Sequence, residues 1–146
     1  MAELDARDDH IRPDGIDDAT VEALGKLSEA FEVTEDARGH LYAFHRLTGQ
    51  ADLALGDAVE LLRAAGHDEW ADRIDAELVG RNVLQGRWTF QIVEEYDDGY
   101  HATFTDLERS ARDALIGGRR HVFESEMKEA RRTNGRRGHE ARPPQN

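Results

Sequence analysis

The chain contains no cysteine, which removes disulfides, thiolate metal ligands and a cysteine nucleophile together. No apolar run approaches the roughly 20 residues that span a bilayer, and the acidic opening MAELDARDDH is the reverse of a basic, then apolar, export leader. The expected location is therefore cytoplasmic, with no membrane partner. Lysine is nearly missing, occurring only as Lys26 and Lys128, and the acidic groups leave a formal charge of −12. A body of that sign repels phosphates, so duplex DNA is excluded as its partner. Also missing are a phosphate loop, a dinucleotide fingerprint and a nucleophile elbow around Ser28, Ser110 or Ser125. The Glu-x-x-His pairs of ferritin-like di-metal bundles do not occur, and the nearest spacing is the reversed His121-x-x-Glu124.

What is present centres on Arg87 to Leu115. There Trp88, Ile92, Tyr96, Tyr100, Phe104, Leu107, Ala111 and Leu115 recur every three or four residues, the spacing of one helical face. Glu94, Asp97, His101 and Glu108 form an ionisable stripe beside it. A competing reading takes the alternation of Trp88, Phe90 and Ile92 with Asp98-Gly99 as a β-hairpin. The helix is preferred because the alternation fails at Val93, the stripe runs on into TDLERSARDAL, and no other segment offers a partner strand. Gly99 marks a place for a kink.

In chain order, residues 1–16 are acidic with few large apolar side chains and read as a disordered arm. Asp17 and Asp18 supply an N-cap and first-turn charge for a long helix carrying Val21, Leu24, Leu27, Phe31, Leu41, Phe44 and Leu47, with Gly49 as its stop. A turn over 50–56 leads to two short helices, DAVELLRAAG and DEWADRIDAELV, the second packed through Trp70, Ile74 and Leu78 and too acidic for a major groove. GRNVLQGR is a polar connection in which Arg81 and Arg87 are the candidate anion-binding pair. After a break at Ile116-Gly117-Gly118, a last helix packs through Val122, Phe123 and Met127, and residues 133–146 read as a disordered basic tail suited to an acidic partner or to the protein's own acidic body.

These readings predict an all-α fold: a helical bundle over 17–132, with two long helices at about 18–48 and 87–116 and shorter helices between and after them. The leading function is a non-enzymatic, self-associating interaction or scaffold protein, a homo-oligomer whose contacts include Tyr96, Tyr100 and Phe104. On that reading Tyr100→Ala weakens fold and assembly, whereas changes at Glu94 or His101 leave both nearly unaltered. The alternative is a bundle holding a divalent metal (iron, manganese or zinc) on Glu94, Asp97, His101 and His45, with Glu35 and His40 as further donors from the first helix. A buried Glu94 or Glu95 beside the tyrosines would instead suit acid/base work, although EEYDD also fits a solvated helix side.

Overall fold

A computed structural model describes residues 8–141. Its helices are α1 (Asp18–Ala64), α2 (Asp68–Glu77), α3 (Thr89–Tyr96), α4 (Ala102–Ile116) and α5 (Val122–Arg131). A 3-10 turn covers Asp8–His10, and a π-helical turn, Asp97–His101, joins α3 to α4. Among the described residues there is no strand, only an isolated bridge between Leu84 and Arg87. The all-α expectation holds and the hairpin reading of 88–104 does not. Among the described residues no helix is long and apolar enough to cross a membrane.

Asp17 begins α1 as expected, accepting the Thr20 N–H at 2.8 Å. The helix does not stop at Gly49, however, and the expected turn over 50–56 is helical through to Ala64. Gly39, Gly49 and Gly56 keep negative φ, while the glycines that reverse the chain, among them Gly66 at φ 87°, are left-handed. A glycine ends a helix only where its neighbours favour that reversal. Between Gly49 and Ala64 the residues are mostly strong helix formers, which offset a penalty of about 1 kcal/mol per glycine. Nothing lies within 4 Å of a β-carbon placed on Gly39 or Gly56. The double variant Gly39→Ala/Gly56→Ala is therefore expected to gain about 1.5–2 kcal/mol, raising Tm by about 4–6 °C in a calorimetric scan. An unchanged or lower Tm would show that these glycines serve a contact the fold does not display.

The chain forms two compact units, one from the residues up to Val33 together with those from Thr103 onward, the other from Thr34–Ala102. In the first, Val21, Ile116 and Val122 make the core, with Ile16 and Leu24 against it. Phe123 packs onto the α1 backbone at Gly25, where an added β-carbon would meet its ring at 2.8 Å. Phe31 and Phe104 stack at 5.7 Å. Polar bonds complete the unit: Ser28 donates to Glu108 at 3.1 Å, and Arg112 reaches Glu108 at 3.2 Å and the Gly118 carbonyl at 3.0 Å.

The described part of the acidic arm is tied to this unit. Arg12 pairs with Asp18 at 2.6 Å and Glu126 at 2.8 Å, His10 bonds the Arg120 carbonyl, and Arg119 donates to the Ile11 carbonyl at 3.0 Å. At the other end Arg132 donates to the His139 carbonyl and the Thr133 N–H bonds the His139 ring. The outer parts of the two expected disordered ends, residues 1–7 and 142–146, lie outside the described residues.

In the second unit Val59, Ala71, Val93 and Thr34 are buried. The α2 helix turns Ala71 inward, leaving the expected packing residues Trp70 and Leu78 exposed. Arg63 pairs with Asp72 at 2.5 Å, and Asp52 accepts the Gly80 N–H at 2.9 Å, fastening the start of the loop that returns to α3. Gln91 accepts the Trp88 N–H at 2.8 Å and sets the start of α3.

Candidate functional site

Two features of Thr34–Ala102 concentrate chemistry. The first is a polar seam between α1 and the helix of α3 and the π turn. Before the turn, Thr89, Ile92, Val93, Tyr96 and Asp97 are the partly or fully buried positions. A straight α-helix would next carry Tyr100 inward. A π turn takes up one extra residue, displacing everything after it by about 100°. Tyr100 is consequently 61% exposed and His101 takes the inward place. Gly99 stands within this turn, at the position where the sequence marked a kink. The same shift, carried into α4, exposes Leu107 and Leu115 and brings Glu108 and Ile116 inward. Tyr100, Leu107 and Leu115 of the apolar stripe thus face solvent, while Asp97, His101 and Glu108 of the ionisable stripe turn inward and Glu94 stays exposed.

At this seam Asp97 accepts from Arg38 Nε at 2.7 Å, from Arg38 Nη2 at 3.2 Å and from the Tyr42 hydroxyl at 2.7 Å. The Arg38 guanidinium also lies over the Tyr42 ring, 5.0 Å from its centroid. The Arg38 bonds, aided by Tyr42, hold the Asp97 carboxyl below its ordinary value despite partial burial. The bond to the Asp97 carboxylate raises Tyr42, whose proton it uses. One turn away on each helix, His101 Nε2 donates to Glu35, and the ring lies against Tyr96, which stacks on Tyr100 at 5.8 Å. Further along, His45 and Thr89 hydrogen-bond at 2.7 Å.

The four residues expected to hold a metal are not gathered. Asp97 is occupied by Arg38 and Tyr42, His101 by Glu35 and His45 by Thr89, while Glu94 is exposed. Glu35 does meet the π turn from α1, as the sequence suggested, but as an acceptor for His101. The residue that sequence reasoning missed is Arg38. Its i, i+4 relation to Tyr42 is the sequence signal that could have found it, since that spacing lets both side chains reach one partner. Of the anion-binding pair, Arg87 is 3.3 Å from Glu95, so one guanidinium is already neutralised, and Arg81 lies exposed on the loop. Of the expected interface residues, Tyr100 is exposed, Tyr96 is half-buried beside it, and Phe104 is half-buried on Phe31.

The second feature is apolar and outward. On α1, Ala37, His40, Phe44, Leu47, Ala51, Ala54, Ala58 and Leu61 recur by threes and fours, and all but half-buried Ala58 are exposed. Beside this stripe the α1 residues Thr48, Asp52 and Leu55 and the loop residues Val83 and Trp88 line an open groove of about 1260 Å³. Trp88 and Phe90 meet edge to face at 5.3 Å and both remain largely exposed.

No protein-family model, no curated protein and no solved structure matches the chain.

Proposed function

We propose that this is a cytoplasmic, self-associating interaction protein whose contact surface is the outward face of α1 between Ala37 and Leu61. The observation that carries the reading is the inversion of polarity in this unit: ion pairs occupy the inner seam while Phe44, Leu47, Leu61, Trp88 and Phe90 face outward. A contiguous exposed apolar face is the usual mark of an association surface. The stripe also complements itself. In an antiparallel pair centred on Gly49, Phe44 meets Ala54, Leu47 meets Ala51, and Leu61 meets Ala37. Each large side chain then faces an alanine, as a two-fold contact requires.

The energetics make such a pair modest. Covering a half-exposed Phe or Leu contributes about 1 kcal/mol, so the six large side chains of two copies supply about 6 kcal/mol before the cost of association. Even with no association cost, about 6 kcal/mol corresponds to a dissociation constant of about 40 μM, so a weak dimer that dissociates on dilution through the high-micromolar to millimolar range is expected. Sedimentation velocity across a concentration series measures it directly. Leu47→Glu and Leu61→Glu, at 61% and 70% exposure, are expected to abolish association without unfolding the chain. Leu53→Glu, 74% exposed but off the stripe, is expected to leave it intact. A chain that stays monomeric at every concentration, or that loses association equally with Leu53→Glu, would overturn the reading.

A further inference from the structure

We propose that Glu32, His121 and Glu124 form a binding site for a divalent transition-metal ion, zinc above all, in a different unit from the α1–α3 seam. Among the described residues these are the only three or more His or carboxylate side chains whose ligand atoms all lie within 4.8 Å of one another. Two carboxylates and an imidazole suit zinc and the neighbouring divalent ions, with further positions left to water. The spacing of the His121–Glu124 pair is also near what coordination needs. Tetrahedral bonds of about 2.1 Å place neighbouring donor atoms about 3.4 Å apart. His121 Nδ1 and Glu124 Oε1 are 3.4 Å apart.

The fold aims these groups from separate elements. His121 is the N-cap of α5 and, among the described residues, the sole non-glycine with positive φ, at 56°. A left-handed histidine is uncommon, and this one follows the reversal made by Gly117 and Gly118 at φ 65° and 75°. Glu124 lies in the first turn of α5, on the same side as His121. Glu32 comes from α1, two turns beyond Gly25, where Phe123 fixes α5 against that helix.

A second imidazole stands beside the site. His10 lies with its ring centroid 6.3 Å from that of His121, and its Nδ1 is 2.8 Å from the Arg120 carbonyl. A carbonyl can only accept, so this Nδ1 carries the hydrogen. His10 is not one of the three clustered donors; the arm that Arg12 and Arg119 fasten down holds it as a neighbour of His121.

The test uses the full, untagged chain with zinc alone in titration calorimetry and cobalt(II) alone in visible absorption, where tetrahedral coordination gives a strong band. One ion per chain is expected. Glu32→Gln and His121→Asn, the latter chosen because Asn tolerates the left-handed backbone, should each weaken zinc binding at least tenfold. His101→Ala should leave it unchanged, and circular dichroism should show every variant folded. Absence of stoichiometric binding, binding indifferent to both Glu32→Gln and His121→Asn, or loss of binding with His101→Ala would each overturn the assignment.

Discussion

Asp97→Ala is expected to lower the unfolding free energy by about 1.5–2 kcal/mol at neutral pH and to remove one of the contributions that the parent chain loses in acid. The size follows from the three hydrogen bonds that Asp97 accepts from Arg38 and Tyr42. Bonds to a charged group contribute about 1.5–3 kcal/mol when well buried, and the figure is discounted because both partners of the ion pair retain solvent contact, at 32% and 22% exposure. The pH dependence follows from the direction of the shifts. Asp97 is held below its ordinary value, so its contribution is present above about pH 4 and lost as pH falls through the lower folded value. Tyr42 is raised, so its contribution is complete below about pH 10 and lost as pH climbs through the raised folded value. Urea denaturation at a series of pH values should show a parent-minus-variant difference that is flat through the neutral range and shrinks in acid. Tyr42→Phe should flatten the alkaline limb and reduce, without abolishing, the acid one, because Arg38 still holds Asp97 down. A difference that persists unchanged to the lowest pH would show that Asp97 stabilises the seam by shape and not by charge.

Gly25→Val is expected to be the most damaging single change in the first unit, costing about 3 kcal/mol. A β-carbon at this position lies 2.8 Å from Cγ and 2.9 Å from Cβ of Phe123. Those atoms are the root of the side chain, so relief requires α5 itself to move, and overpacking of this kind costs about 1–3 kcal/mol or more. Valine adds two methyl groups to the overlap and gains little helix propensity to offset it. Gly25→Ala should be milder, since alanine recovers about 1 kcal/mol of propensity in the helix. Thermal unfolding should rank parent, alanine and valine in descending order. Because Phe123 adjoins His121 and Glu124, the valine variant should also lose the proposed zinc binding, whereas Gly39→Ala/Gly56→Ala should retain it. Equal stability of the three Gly25 chains would mean that α5 is not held through this approach.

Several properties were legible in the residues alone. The three-to-four spacing in both long segments specified helices, because that period aligns side chains on one face wherever the helix lies. Asp17 announced the start of α1, and Ile116-Gly117-Gly118 announced the end of α4, because caps and left-handed glycines act within a few bonds of the chain. Gly49 misled for the converse reason: a glycine permits a stop, and the helix-forming residues after it continued α1 to Ala64. The inward face past Tyr96 was beyond local reading. Periodicity assumes one turn per 3.6 residues, and the single π turn at Asp97–His101 changed which stripe meets α1. Nor could composition show that the acidic arm is tied down, since its partners Glu126 and Arg120 stand more than a hundred residues away. The sequence by itself determined the helices and their caps, which depend on neighbours along the chain. Only the tertiary structure decided that Asp97 belongs to Arg38, that His101 belongs to Glu35, and that Glu32 meets His121 and Glu124, because those pairings depend on helix phase and on segments brought together from opposite ends.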